Sequence, residues 1–503
     1  MPVSAARKIA FDVLLRVESE SAYASELLHS ALAPDIKPAD AALATELTLG
    51  VLRWRRLLDF LLDRQLKKPV ARLDFPVAVA LRMGLYQLRF LGKIPARAAV
   101  NESVELVKRA RKSSAGSLVN AVLRRTASEA EVPVEKLLSP DLPLPERLGI
   151  LHSHPTWFVE RRLARLGESE TVALLEANNR APRLSFALHG VTQRGEVLGE
   201  LESGGLRIEP GHLLNNAFSA TGGSLARTKA FRAGRISIQD EASQIVPLLL
   251  GVGSGDRVLD LCAAPGGKTV ALAHAAGPKG VVIAGELHEH RLRAMQNQLT
   301  RLRFATVDSE AERLRSLDES TSGEQQHGAA VRLVTLDATQ PLPFAIQFDR
   351  ILVDAPCSGT GTLARHPEIR WRLRPEHLTE LHALQTKLLC TAIAQLAPGG
   401  RLVYSTCSME LEENESIIAD VLDRKSDRKN GLGEGSQRAA TNAEGYPASI
   451  RLVDAAESAQ FLSPYLAPGV AAAALFDSSG FFRTSPALHG SDGFFAAVLE
   501  KSR

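Results

Sequence analysis

From residue 236 onward, short runs of near-continuous apolar residues alternate with stretches of helical period, and this alternation limits the fold more than any other feature of the chain. The runs are RVLDLC, VVIAGEL, VRLVTLD, FDRILVDAP, PGGRLVYSTC and GFFAAVL; between them lie KTVALAHAA, a helix reaching Arg303, a long helix over 376–396 and EENESIIADVL. Strands that are apolar on both faces must be covered on both, which predicts a mainly parallel, doubly wound α/β sheet of the Rossmann-like kind over 236–503. Two polar stretches, 305–330 and 424–446, fall outside the alternation and read as surface insertions.

Residues 1–130 follow a different period. Ile9, Val13 and Val17, then Leu43, Leu47, Val51 and Trp54, then Val100, Val104 and Val107 recur at helical spacing, and Pro34, Pro38, Pro69, Pro76 and Pro95 divide them into helices of ordinary length. An all-α domain is expected there. It holds 21 Lys/Arg against 13 Asp/Glu, while the rest of the chain holds 39 against 44. Clusters at Arg53, Arg55 and Arg56, at Lys108 to Lys112 and at Arg124–Arg125 suit a polyanion partner; charge alone equally suits a solvated helical surface. Pro133, Pro140, Pro143 and Pro145 mark 131–150 as a stiff, helix-averse connector. Residues 151–235 read as a small α/β subdomain with a helix from Pro155 to Gly167 and two strands, at 184–188 and around LRIEP, too few for a sheet of its own.

A chain of 503 residues with 45% hydrophobic and 23% charged residues is of globular composition, which excludes disorder or a disulfide scaffold as descriptions of the whole. Nothing approaches 18 consecutive apolar residues, and charges interrupt the N-terminal stretch, so a cytoplasmic protein and no membrane partner are expected; a monomer is expected too. Cys262, Cys357, Cys390 and Cys407 form no C-x-x-C pair and should stay free thiols. His152 and His154, like His288 and His290, lie two apart and cannot share a helix face, so no metal is expected.

The first strand of the doubly wound region runs into Cys262, Ala263, Ala264, Pro265, Gly266, Gly267 and Lys268 and then a helix. Small residues there let a ligand approach the helix N-terminus. A phosphate-binding loop would need glycine at position 262, and a dinucleotide fold would need G-x-G-x-x-G; neither is present. Glu286, about 20 residues past the glycines at the end of the second strand, stands where an acid accepts ribose hydroxyls, and Asp337, ending the third, can accept from an adenine amine. Singly, each acid reads as a helix cap or a loop end. Together, without a diphosphate cradle, they suit S-adenosyl-L-methionine.

The next strand ends in Asp354-Ala355-Pro356-Cys357, and the last motif-bearing one in Thr406-Cys407-Ser408, so both thiols should open on the cofactor cleft. Carbon 5 of a pyrimidine is too weak a nucleophile to take a methyl from a sulfonium, and a thiolate adding at carbon 6 makes it one. Asp354 can hold the ring nitrogen and exocyclic amine of cytosine while charge forms there. Spacing does not say which thiol attacks. Cys390, inside a helix, reads as a buried small hydrophobe, and Cys262 lines the loop without reacting.

VLDLCAAPGGKT, DAPCSGTG, RHPEIRW and LVYSTCSMELEENE resemble the motifs of the RNA cytosine-5 methyltransferases of the NOP2/Sun family, and LRMGLYQL, AVNESVELVK and LVNAVLRR resemble the NusB-type RNA-binding helical domain. The resemblance implies that Cys407 is the nucleophile, that Cys357 assists product release, and that Cys262 to Lys268, Glu286, Asp337 and Asp354 contact the cofactor or lie beside it. It implies small-subunit rRNA as the partner. The same chemistry on tRNA, or an inert RNA-binding scaffold, are the alternatives. Leu336 stands where the family commonly has glycine before the third-strand acid.

Overall fold

The computed structural model describes residues 3–20, 22–32, 36–128, 132–189, 194–306, 328–423 and 450–503. Pro34, positions 307–327 of the first expected insertion and all of the second lie outside the described residues. The chain divides into two compact units, Met1–Ala181 with Thr362–Leu373, and Pro182–Gly361 with Arg374–Arg503.

In the first unit the expected helices form as Ala5–Glu20, Ala24–Ala31, Pro38–Arg53, Arg55–Asp63, Phe75–Phe90, Ala96–Arg109 and Gly116–Ser128. Their apolar stripes close on a core that includes Phe11, Leu14, Leu47, Leu58, Leu81, Val107 and Leu123. Pro38 and Pro76 sit in the first turn of their helices, where the missing N–H has no partner to lose. Gly50 allows a close helix crossing, because a Cβ there would lie 2.1 Å from Tyr86 Cζ. The connector is not helix-averse throughout: Leu144–Leu151 is helical, with Pro145 again in the permissive first turn. The helix Thr156–Asn179 is broken at Gly167, whose φ is 73°, and resumes beyond it, past the end expected from sequence.

The segment Thr362–Leu373 belongs to this helical unit although it follows the Cys357 loop in sequence. Arg370, 2% exposed, donates to the carbonyls of Arg53, Ser153, Asn178 and Leu363 and to Asn179 Oδ1 at 2.9 to 3.3 Å. Trp371 Nε1 donates to Leu52 O at 2.6 Å, Arg372 to Val17 O and Ala22 O, and Ala24 N donates to Glu368 Oε1 at 2.9 Å. The RHPEIRW run thus ties helices together by side-chain donors on carbonyls, a role its sequence does not display.

The second unit contains two sheets. The smaller has four antiparallel strands in the order β2-β3-β1-β4, with β1 Leu184–Leu188, β2 Arg207–Pro210, β3 Ala217–Thr221 and β4 Ile236–Ile238. Only β1 and β2 were legible as strands: β3 (AFSAT) has no β-branched residue before its final Thr221, and β4 is three residues long, too short to show a period.

The larger sheet has the order β10-β12-β9-β8-β5-β6-β7, with β11 paired to β12. Its strands are β5 Arg257–Leu261, β6 Val281–Glu286, β7 Ala330–Thr335, β8 Phe348–Asp354, β9 Leu396–Thr406, β10 Ile450–Leu452, β11 Phe482–Arg483 and β12 Phe495–Lys501. β5 to β9 pair in parallel; β12 runs antiparallel to β9, β10 and β11. Side chains alternate between two cores, with Val258, Leu352, Val403 and Val498 in one and Leu259, Ile351, Leu402 and Leu499 in the other. This is the mainly parallel, doubly wound sheet expected, and β5, flanked by β6 and β8, is its switch point. Ligands bind outside the carboxyl ends of strands at such a point.

Candidate active site

At the end of β5 the chain turns sharply: Cys262 adopts φ 62° and Gly266 φ 97° before the helix Gly267–Ala276 begins. Ala263 N donates to Gly285 O at 2.9 Å and Gly266 N to Ala263 O at 2.8 Å, which pins the loop to the end of β6. A Cβ on Gly266 would lie 2.8 Å from Met295 Cγ, so the loop has no room for a side chain there. The first N–H groups of the helix lack intrahelical partners and face the same edge.

Two buried acids border this loop. Glu286, 3% exposed, accepts from His288 N at 3.1 Å and from Arg291 Nη1 at 3.3 Å through Oε1, while its buried Oε2 makes no hydrogen bond. Asp260, 1% exposed, accepts from Thr269 Oγ1 at 2.6 Å through Oδ2, and its Oδ1 has no partner. Burial pushes the Asp260 carboxyl up to about 7. Asp337 lies two residues past the end of β7 and is exposed; it accepts from Thr339 N at 2.9 Å and Thr339 Oγ1 at 2.7 Å, bonds that hold it below the usual carboxylate range. Leu336 N donates to Glu286 O at 3.1 Å, so Glu286 and Asp337 do share one edge of the sheet.

The neighbouring edge carries the thiols. Cys357 Sγ and Cys407 Sγ lie 3.4 Å apart, at the loops that follow β8 and β9. Asp354, the last residue of β8, accepts from Lys268 Nζ at 2.6 Å and from Ser405 Oγ at 2.8 Å, so the glycine-rich loop and the thiol loops meet in one ion pair. The hydrogen bond with Cys407 and burial raise the Cys357 thiol well above its ordinary range. Burial, reinforced by Glu286 and Asp354, pushes Cys262 up to about 12, which suits a lining residue and not a nucleophile. Cys390 is buried in the helix Pro375–Gln395, away from these loops in the sheet's second core.

Asp260 and Glu413 were not singled out in the sequence. Asp260 sits within RVLDL, where a carboxylate breaks an apolar run; that interruption was its one available signal. Glu413 belongs to an acidic run that reads as a solvated helix start, yet it is fully buried. His154 is buried against His152 O at 2.7 Å and stays neutral through burial, while His288 and His290 stack at 5.6 Å. Among the described residues no group of three or more His, Cys, Asp or Glu is placed to hold a metal ion, and no helix is long and apolar enough to cross a membrane.

A family model described as 16S rRNA methyltransferase RsmB/F matches residues 247–500, and one described as the NusB family matches residues 4–128. A probable ribosomal RNA small subunit methyltransferase B of Bacillus subtilis (strain 168) is 31% identical over 420 residues, covering 83% of this chain and 88% of the relative. Its counterpart in Synechocystis sp. is 30% identical over 503 residues, with 99% of both chains covered. Among solved structures, the crystal structure of PH0851 shares the fold with a TM-score of 0.73 at 24% identity, covering 100% of this chain and 99% of that one.

Proposed function

The chain belongs to the 16S rRNA methyltransferase RsmB/F family, and from there we propose that it transfers a methyl group from S-adenosyl-L-methionine to carbon 5 of a cytidine in small-subunit (16S) rRNA through a covalent cysteine–pyrimidine intermediate. The observation that carries this reading is the pair of sulfurs 3.4 Å apart at the ends of neighbouring parallel strands, with Asp354 on the same edge. A scaffold without catalysis has no use for either thiol. The basic helical segment matched by the NusB family would grip phosphates without reading sequence, leaving selection of the base to the cleft.

The residues present fit the methyl donor. Glu286 Oε2 is buried and makes no hydrogen bond, with the Arg291 guanidinium 3.2 Å away as an ion-pair partner, and would accept from ribose hydroxyls; residues 262 to 268 offer backbone N–H groups and no side-chain bulk at Gly266; Asp337 stands on the same edge and would serve the adenine. When bound, the donor supplies an electrophilic methyl on a sulfonium.

Cys407 as thiolate bonds to carbon 6, and the displaced electron pair makes carbon 5 nucleophilic. Asp354 accepts from the exocyclic amine, and the Lys268 ammonium beside it faces the negative charge gathering on the ring. After methylation carbon 5 still carries its hydrogen. Loss of that proton to water restores the double bond between carbons 5 and 6, and Cys407 leaves as thiolate. Cys357 keeps its own proton, because burial and Cys407 disfavour its charged form, and its S–H donates a hydrogen bond to the departing sulfur.

The test is incubation of the full chain with tritiated donor and unmodified rRNA. Cys407→Ala is expected to incorporate no label, and Cys357→Ala to leave RNA attached to protein in a band that survives denaturation. If Cys357→Ala alone prevented attachment, the roles of the thiols would be reversed. Bisulfite sequencing of total RNA from a deletion strain tells rRNA from tRNA as the substrate.

A further inference from the structure

Glu413 is a buried acid that the reaction above does not use. It is 0% exposed, and the hydrogen-bond partners of its carboxyl group among the described residues are the neutral groups Ser358, Ser408 and Gln385. Its Oε1 accepts from Ser358 N at 2.8 Å and Gln385 Nε2 at 2.9 Å, and its Oε2 accepts from both Ser358 Oγ and Ser408 Oγ. Two N–H donors and two serine hydroxyls thus converge on one carboxyl group. Ser358 follows Cys357 and Ser408 follows Cys407, so a single carboxylate grips the residue after each sulfur. Secondary ties reinforce the grip: Gln385 Nε2 also donates to Pro356 O at 2.9 Å, and Tyr404 Oη donates to Glu413 O at 2.7 Å.

We infer that Glu413 is a positioning residue for both cysteines: by gripping the residue after each sulfur, its carboxyl group fixes the spacing of the two sulfur loops and so the contact of Cys357 with the departing Cys407 sulfur. The inference rests on the covalent mechanism proposed above. The groups facing Cys357 are Cys407 from the loop after β9, Glu413 from the turn beyond it and Tyr404 from β9 itself; Asp354, paired with Lys268, lies three residues before it. The Cys407 hydrogen bond, burial and Glu413 disfavour the charged form of Cys357, and the Gly359 backbone N–H is the opposing influence.

The experiment has two arms on the full-length chain. In the first, alkylation of Cys357 by iodoacetamide is followed against pH in Cys407→Ser and in Cys407→Ser with Glu413→Gln; loss of the buried charge should lower the midpoint by about one pH unit or more. In the second, with rRNA and methyl donor, Glu413→Gln should accumulate the denaturation-resistant RNA adduct that Cys357→Ala accumulates, with turnover slowed roughly tenfold or more, as expected when a charge-assisted contact worth 1.5–3 kcal/mol is lost. Glu413→Asp keeps the charge but withdraws it by one methylene, so it should accumulate adduct with the midpoint unmoved; it decides the matter if Glu413→Gln does not fold. An unmoved midpoint and no adduct with Glu413→Gln overturn the inference while Cys357→Ala still traps RNA. Failure of Cys357→Ala to trap RNA overturns the underlying mechanism instead.

Discussion

Along the carboxyl edge of the larger sheet, the β5–β6 half leaves one oxygen of each buried carboxyl group without a hydrogen bond, and the β8–β9 half fills both oxygens of its own carboxyl groups. Asp260 and Glu286 each keep one oxygen without a hydrogen bond, whereas Glu413 has both oxygens doubly occupied and Asp354 is held by Lys268 and Ser405. A buried polar atom without a partner costs about 1–3 kcal/mol, so it persists where a ligand will supply the missing donor. A saturated carboxylate instead holds its neighbours in place. On the proposed function, the first half would receive the methyl donor, and the second would keep two sulfurs at a set distance.

The difference can be broken most severely at the nucleophile. Cys407→Ala should lower turnover by on the order of a thousandfold or more, since it removes the proposed nucleophile and burial disfavours the thiolate of Cys357, the other sulfur on that edge, and should leave donor affinity intact. Residual methylation within tenfold of the parent would show that the thiol edge does not carry the chemistry. The receiving half should respond differently. Glu286→Gln replaces an open carboxylate by an amide and should raise KM for the methyl donor by roughly ten- to a hundredfold, the loss of one or two charge-assisted hydrogen bonds, with kcat within about threefold. A fall in kcat at unchanged KM would move Glu286 from the receiving half to the reacting one.

The two halves also differ in how far the sequence reveals them. Residues proposed to meet a ligand carry signals of type and place: the small residues from Cys262 to Gly267 after a first strand, Glu286 at the next strand end, and thiols after β8 and β9. Residues that meet only other residues do not. Glu413 sits among Glu410, Glu412 and Asn414, where nothing in the one-dimensional pattern shows that Glu410, Glu413 and Asn414 are buried and Glu412 only half-buried, and Arg370 looks like any surface arginine until the carbonyls of distant helices converge on it. For the fold, long periodic runs announced the helices of the first unit and the strands β5 to β9 and β12. Short or edge strands such as β4, β10 and β11 depend on pairing partners far away in sequence, and the antiparallel course of β12 is a property of its neighbours and not of GFFAAVL.

A smaller effect sharpens the comparison through pH. Asp260 is pushed up to about 7 by burial from an ordinary value of 3.8, so the folded chain holds a proton there that the unfolded chain releases. Stability therefore falls as pH rises through the window from about 4 to about 7 and levels off above it, because the folded state binds more protons than the unfolded one only within that range. Asp260→Asn has no proton to hold. Its amide oxygen can still accept from Thr269 Oγ1, and thermal unfolding of the ligand-free chain at about pH 5 and about pH 8 should show a drop in Tm smaller by a few degrees than in the parent. Equal pH dependence in the parent and in Asp260→Asn would mean that the folded chain ionises Asp260 as readily as water does. Its open oxygen would then be solvated, and the contrast between a receiving and a holding half would rest on Glu286 alone.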